Sequence, residues 1–371
     1  MKRKTFLYAL GAATASRLIT KCETPHLKNT HRYDGKRLII LRLDGGNDGL
    51  YALAPKHNES LKKLRPSLLK NTIFDGINLE KNWMLHPNLS AISDLWNKEQ
   101  AVFKPFVGFN KINTSHFKSA ELWESGLFAD DENPNKTGWV GRLVEENISD
   151  TDLFKHYPVL KLHNRQTIID KTPKLAAFSW LEENPLNTFC DAEEWLSKKS
   201  TNKLKNRVQN EVDQLNLFEE IRPIPHYPKT QLGLQLSKAA SVIKHDLPYQ
   251  YIHANLGGFD THLSQPLRLN SLYDELNQAL LFFNSSITQS QWKNTMIVIY
   301  SEFGRTVDEN KNHGTDHGFS GLSLILSGDE NYLKQIKNLK DFSEYSFSNY
   351  TPILNTNKDL IKHCSDWMSM T

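Results

Sequence analysis

Cysteine is scarce. The three residues among 371, Cys22, Cys190 and Cys364, are too few and too scattered for a disulfide framework or a zinc ribbon. No apolar run reaches the roughly eighteen residues that a membrane span requires. Charge of one sign is lacking too: 45 Lys and Arg face 42 Asp and Glu, a formal net charge of +3. That balance argues against a dedicated nucleic-acid binder. Two glycine signatures are also missing. Gly45, Gly46 and Gly49 do not space as G-x-G-x-x-G and no P-loop lysine follows. Gly318-Phe319-Ser320-Gly321 is not the G-x-S-x-G of a nucleophile elbow. With 39% hydrophobic and 10% aromatic residues, the chain has material for a sizeable core, which excludes wholesale disorder. Its length suits one large α/β domain or two smaller ones.

Met1–Ser16 reads MKRKTFLYALGAATAS, a basic start, a short apolar stretch and then small residues, the layout of an export signal. Arg3-Lys4-Thr5-Phe6-Leu7 resembles a twin-arginine signal with Lys4 in place of the second arginine, and Arg17 cuts the apolar stretch short. Lys21 sits where a lipoprotein signal ending at Cys22 needs a small residue. The alternative is a frayed basic helix at a chain end. We expect an export signal over residues 1–30, a folded part starting near Arg37, and a periplasmic or cell-envelope location.

Beyond that segment, strands and helices alternate. Arg37–Leu43 (RLIILRL), Ala101–Val107, Tyr157–Leu162, Tyr249–Asn255, Thr295–Tyr300 (TMIVIY) and Leu322–Leu326 read as strands. Pro87–Asn97, His116–Gly126, Lys198–Glu220, Gln231–His245 and Leu267–Phe283 read as helices. The lysine-rich face of Lys198–Glu220 reads as solvated surface. From Tyr345 onward no clear period is visible, and a tail or small cap is expected. Strands apolar on both faces, separated by helices, imply a mostly parallel sheet covered on both sides: an α/β, three-layer αβα sandwich. A helical cap insertion over about 150–228 is allowed within one domain spanning 31–371.

Ligands in open α/β sheets bind outside the carboxyl ends of the strands. Three strands here end in polar clusters: Asp44-Gly45-Gly46-Asn47-Asp48-Gly49, Gly257-Gly258-Phe259-Asp260-Thr261-His262, and Ser301-Glu302-Phe303-Gly304-Arg305-Thr306 followed by His313-Gly314-Thr315-Asp316-His317-Gly318. Carboxylates and imidazoles gathered at one edge suit a divalent cation, for which they are the usual oxygen and nitrogen ligands. Each cluster also has a purely structural explanation. Asp44 could cap a helix after a turn, Asp260 could be an N-cap, Glu302 could pair only with Arg305, and His317 could be a satisfied histidine in a glycine-bordered loop.

These blocks, together with Leu85-His86-Pro87-Asn88-Leu89, Ser115-His116-Phe117, Trp123-Glu124-Ser125-Gly126 and Gly138-Trp139-Val140-Gly141-Arg142-Leu143, resemble the bacterial exported family called domain of unknown function 1501. The resemblance covers about residues 37–327. That family is similar to the alkaline phosphatase and sulfatase superfamily, which implies an alkaline phosphatase-like fold and a metal-dependent hydrolase of phosphate or sulfate esters. Carried onto this chain, it implies metal ligands at Asp44, Asp260, His262, Glu302 and His317. It further implies a nucleophile at Ser115, with Thr114 as second choice, and His116 as ligand or acid. Arg305 and Arg142 would clamp the non-bridging oxygens of the ester. The cofactor would be a divalent metal ion: zinc, calcium, magnesium or manganese. Glu302 stands where the superfamily usually has an Asp-His pair, and its successor is Phe303, so one histidine is missing. The alternative is a non-catalytic cell-envelope protein that retains the fold and binds partners or carbohydrate through its aromatics, including its eight tryptophans.

Overall fold

The computed structural model describes residues 33–69, 75–109, 115–127, 137–147, 158–165, 167–172, 177–180, 218 and 221–370. The expected export signal, Thr114, and nearly all of the helix expected over Lys198–Glu220 lie outside these residues, as does most of the expected 150–228 insertion.

The strands are β1 (Arg37–Asp44), β2 (Leu53–Pro55), β3 (Ile77–Asn78), β4 (Trp83–Leu85), β5 (Ala101–Gly108), β6 (Val159–Lys161), β7 (Phe178–Ser179), β8 (Tyr251–Gly257), β9 (Thr295–Ser301), β10 (Ser320–Ser327) and β11 (Asn355–Thr356). Eight of them form one sheet in the order β11-β5-β10-β9-β1-β8-β6-β7, while β2-β4-β3 makes a small antiparallel sheet beside it. In the large sheet β1 pairs parallel with both β8 and β9, and β6 pairs parallel with β7 and β8. Only β10 runs against the others, antiparallel to β5 and β9.

The central strand β1 is buried over its whole length. Its side chains alternate between two cores, because successive residues of a strand point to opposite faces. Ile39, Leu41 and Leu43 enter one core, with Ile252 and Ile297 from the neighbouring strands. Helices α1 (Ser90–Asn97), α4 (Gln231–Lys244) and α5 (Gln265–Ser286) cover that face through residues such as Ile92, Leu236 and Leu276. Leu38 and Ile40 enter the other core, which is closed by α2 (His116–Ser125), α3 (Trp139–Asn147), α6 (Glu330–Ile336) and α7 (Asn357–Ser369) through Trp123, Val144, Leu333 and Trp367. This is the three-layer αβα arrangement expected from strands that are apolar on both faces.

All six expected strands are present with ends moved by one or two residues, while the short strands β2, β3, β4, β7 and β11 were not expected. The strand expected at Tyr249–Asn255 runs Tyr251–Gly257, and α5 begins at Gln265 rather than Leu267. Pro105 does not end β5: the pairing with β10 shifts register between Gly321 and Ser323, a bulge that accommodates a residue with no N–H to give.

The chain after Tyr345 is a correction. It is no structureless tail, because it supplies edge strand β11 and helix α7. A capping box starts α7, with the Thr356 side chain on the Asp359 N–H and the Asp359 carboxylate on the Thr356 N–H. Leu360, Cys364 and Trp367, at i, i+4 and i+7, face the core, and burial pushes the Cys364 thiol up to about 12. Trp367 has no exposed surface. Replacing it with Ala removes most of what α7 buries, so Trp367→Ala should lower unfolding free energy by about 3–5 kcal/mol in a urea titration. An unchanged midpoint would show that α7 is not part of the folded unit.

Candidate metal centre

The site forms where the carboxyl ends of β1, β5, β8 and β9 meet the amino end of the reversed strand β10. After β1 the backbone turns at Gly45 and Gly46, both at positive φ (119° and 77°). A side chain at Gly45 would collide with the backbone nitrogen of Asp260, so the tight turn lets the β8 loop lie directly on the β1 loop. After β5 the chain returns through α2, which opens with His116. Beyond β8 comes Asp260-Thr261-His262, and beyond β9 come Glu302 and Arg305. The loop that enters β10 carries Asp316 and His317.

Asp260 is the hub. His262 Nε2 lies 3.1 Å and His317 Nε2 3.3 Å from its Oδ1, and His116 Nε2 lies 3.5 Å from its Oδ2. The two imidazole nitrogens of His262 and His317 are 3.0 Å apart. His116, Asp260 and His317 each offer one donor atom, all within 4.8 Å of one another. Four ligands held about 2.0–2.1 Å from a tetrahedral ion are separated by about 3.3 Å. The donors of His116, Asp260 and His317 lie within reach of that value, one carboxylate and two imidazoles, with His262 Nε2 set against both Asp260 and His317, so these residues fit a zinc-like divalent ion.

The far nitrogens support this reading. His116 Nδ1 is 2.7 Å from Glu302 Oε1, and His262 Nδ1 is 2.8 Å from Asp316 Oδ1. Metal-binding histidines characteristically donate their other N–H to a carboxylate. Asp316 is not among the ligands expected from the sequence. Its signal was the run Asp316-His317 beside a second histidine loop, whose pairing only the fold reveals.

Electrostatics at the site are set by Arg305, which is buried. Its Nε donates to the Gly46 carbonyl at 2.7 Å, Nη1 to the Thr315 carbonyl at 3.1 Å, and Nη2 to the carbonyls of Gly45 and Phe259 and to Asp260 Oδ1 at 2.7 Å. Rather than facing a substrate anion, the guanidinium is turned inward and directs its N–H groups at three loops. Partial burial opposes charge on Asp260, but hydrogen bonds from Arg305 and His317 outweigh it and bring the carboxyl down to about 2. Glu302 is deeply buried, which opposes its charge, yet the hydrogen bonds from His116 and the Gly45 N–H hold its carboxyl below the ordinary value. The Glu302 hydrogen bond raises His116 correspondingly.

The remaining expected residues fall elsewhere. Asp44 joins none of the contacts around Asp260: its carboxylate is engaged by Arg42, by Arg165 at 3.0 Å and by Asn255 at 2.6 Å. Nor does it cap a helix, a role taken by Asp48 for the short helix Gly49–Ala52. Arg142 donates to Thr137 and to the Ser125 carbonyl, tying α3 to the end of α2 instead of clamping a ligand. Ser115 is exposed at the N-cap position of α2 and makes no capping hydrogen bond to it. Asp260 is not an N-cap, since Ser264 holds that position before α5.

A buried imidazole pair joins β8 to the loop after β6. Arg165 N–H donates to His163 Nδ1 at 3.1 Å, so the His163 proton sits on Nε2, which faces His253 Nδ1 at 3.1 Å. His253 Nε2 finds no acceptor among the described residues. Burial, with Arg42, Lys161 and Arg165 nearby, brings His163 down to about 3, and burial holds His253 well below its ordinary value.

Residues 247–329, which carry Asp260, His262, Glu302, Arg305 and His317, match the model of a family described as "Protein of unknown function (DUF1501)". This agrees with the resemblance drawn from the sequence. No curated protein matches. Among solved structures the chain is similar to the C-terminal periplasmic domain of EcEptC from Escherichia coli in complex with zinc. That pair has 12% identity and a TM-score of 0.39, over 92% of this chain and 85% of the other. It is similar to the PH0037 protein of Pyrococcus horikoshii at 10% identity and TM-score 0.43, over 90% and 97%. A protein in the alkaline phosphatase superfamily from Vibrio parahaemolyticus gives 11% identity and TM-score 0.36, over 98% and 76%. Among the described residues no helix is long and apolar enough to cross a membrane.

Two outcomes follow. The unfolded chain protonates its histidines near pH 6.5, whereas His163 and His253 stay neutral when folded. Stability from this pair is therefore complete above about pH 6.5 and lost as pH falls toward their folded values, at about 1.4 kcal/mol per histidine per pH unit. Urea midpoints measured from pH 7.5 downward should fall, and His253→Gln should make the slope shallower. Separately, Arg305→Lys keeps the charge but loses the planar fork. It should cost about 3–5 kcal/mol by thermal unfolding, and a loss under about 1 kcal/mol would mean the three loops hold together without it.

Proposed function

We propose that this protein is a metal-dependent hydrolase acting on phosphate or sulfate esters, working outside the cytoplasm if residues 1–30 serve as an export signal. The observation that carries the reading is the convergence of His116, His262 and His317 on Asp260, with the donor atoms of His116, Asp260 and His317 all within 4.8 Å of one another. When bound, the ion would supply Lewis-acid stabilisation of the charge that builds on the ester oxygens.

The chain's own residues do the rest. Asp260, His116 and His317, with His262 beside them, would hold the ion, and Arg305 fixes Asp260 and the loops that bear it. Ser115, beside His116 at the start of α2, is the candidate nucleophile. Its oxygen would lose its proton and bond to phosphorus or sulfur as the alcohol oxygen of the ester leaves and takes up a proton, and water would then release phosphate or sulfate and restore the serine hydroxyl. Thr114 remains the second choice for that role. The first-turn amides of α2 lack intrahelical acceptors, and such a helix start favours an anionic group.

Purified protein should retain or bind zinc or another divalent ion, and His317→Ala should weaken that binding more than about 100-fold. With an aryl phosphate or aryl sulfate, Ser115→Ala should lower turnover at least about a thousand-fold while leaving ion binding intact. Full turnover in Ser115→Ala would transfer the nucleophile to another group. Ion binding without turnover of any ester would favour the non-catalytic envelope protein.

A further inference from the structure

Glu302 sits among the carboxylates of this edge, yet its geometry differs from that of Asp260. It is buried, on the last turn of backbone leaving β9, and both of its oxygens are engaged by rigid parts of the fold. Oε1 accepts from the Gly45 N–H at 2.8 Å and lies 2.7 Å from His116 Nδ1, and Oε2 lies 3.2 Å from Ser301 Oγ. Phe303 and His317 pack their rings against the imidazole of His116, with centroids 4.8 and 4.7 Å away. The ring is therefore held by a hydrogen bond on one edge and by two other rings on its surface.

An acceptor on Nδ1 and an ion on Nε2 lie on opposite sides of the five-membered ring. A carboxylate bonded to Nδ1 cannot also reach the ion that its own histidine binds. Resting on the metal-site reading above, we propose that Glu302 is a positioning residue and not a ligand: it fixes His116 as the Nδ1–H tautomer and turns Nε2 toward Asp260. Asp316 does the same for His262, but from an exposed position, so that pair is weaker. The arrangement leaves a single ion site in which Asp260 is the one carboxylate donor. The histidine absent after Glu302 is not a lost ligand, because the carboxylate before it has taken an outer role.

Two measurements decide this. Long-range proton–nitrogen spectra of the metal-free protein, at alkaline pH where the imidazole is neutral, should show His116 protonated on Nδ1, and Glu302→Ala should abolish that preference. Calorimetric titration with zinc should show 10–100-fold weaker binding in Glu302→Gln, a smaller loss in Asp316→Asn, and a larger one in His317→Ala. Glu302→Gln retains an oxygen for the Gly45 N–H, so it keeps the test open if Glu302→Ala does not fold. His116 protonated on Nε2 in the wild type, or a Glu302→Gln loss as large as that of His317→Ala, would overturn the proposal. A wild-type chain that binds no divalent ion would instead sink the hydrolase reading, while the His116 tautomer still decides what Glu302 does.

Discussion

A guanidinium with no exposed surface must find acceptors for all its N–H groups, and that demand organises the edge of this sheet. Arg305 finds them on the turn after β1, the loop after β8 and the loop entering β10, and these three segments are brought together around it. Asp260 is part of the same set, so the residue that anchors the imidazoles is itself anchored by a buried cation. The acidity of the cluster is thereby balanced from behind while its open side is left to the histidines.

A second network, set farther along the same edge, works in parallel. Arg42 is buried between Asp44 and Glu124, and Arg165 reaches Asp44 from the loop after β6. Glu124 also accepts from the Ile168 N–H at 2.8 Å, so this network ties α2 to a loop of the opposite strand group. Since α2 carries His116 at its first position, the rigidity of that imidazole begins with ion pairs well removed from it. The strand-end carboxylates thus separate into two classes, with Asp44 serving the scaffold and Asp260 facing outward.

Much of this could be read from the chain and some could not. The double-sided apolar runs of β1 and β9 specify a sheet covered on both faces, and the polar residues ending each strand mark the edge that carries chemistry. Periodicity cannot say which carboxylate faces which imidazole. Asp44 and Asp260 look alike in sequence, each within two residues of a pair of glycines, yet Arg42 two residues before Asp44 points the same way and captures it. The helix after Tyr345 leaves little trace in the sequence because its apolar stripe is narrow. Leu360, Cys364 and Trp367 are spread among lysines and aspartates, although the Thr356–Asp359 capping box was there to be seen. His116 was named as a ligand or an acid, but only the fold shows Glu302 behind it.

The reversed direction of β10 has one more consequence. Because that strand starts at the shared edge instead of ending there, His317 is delivered just ahead of a strand that is paired on both sides, to β9 and to β5. Meanwhile β1, synthesised first, finds its two neighbours only in β8 and β9, more than two hundred positions later. Contacts of such long sequence separation are slow to form. The candidate metal corner draws its side chains from these same strand ends, so it is complete only when the sheet itself is.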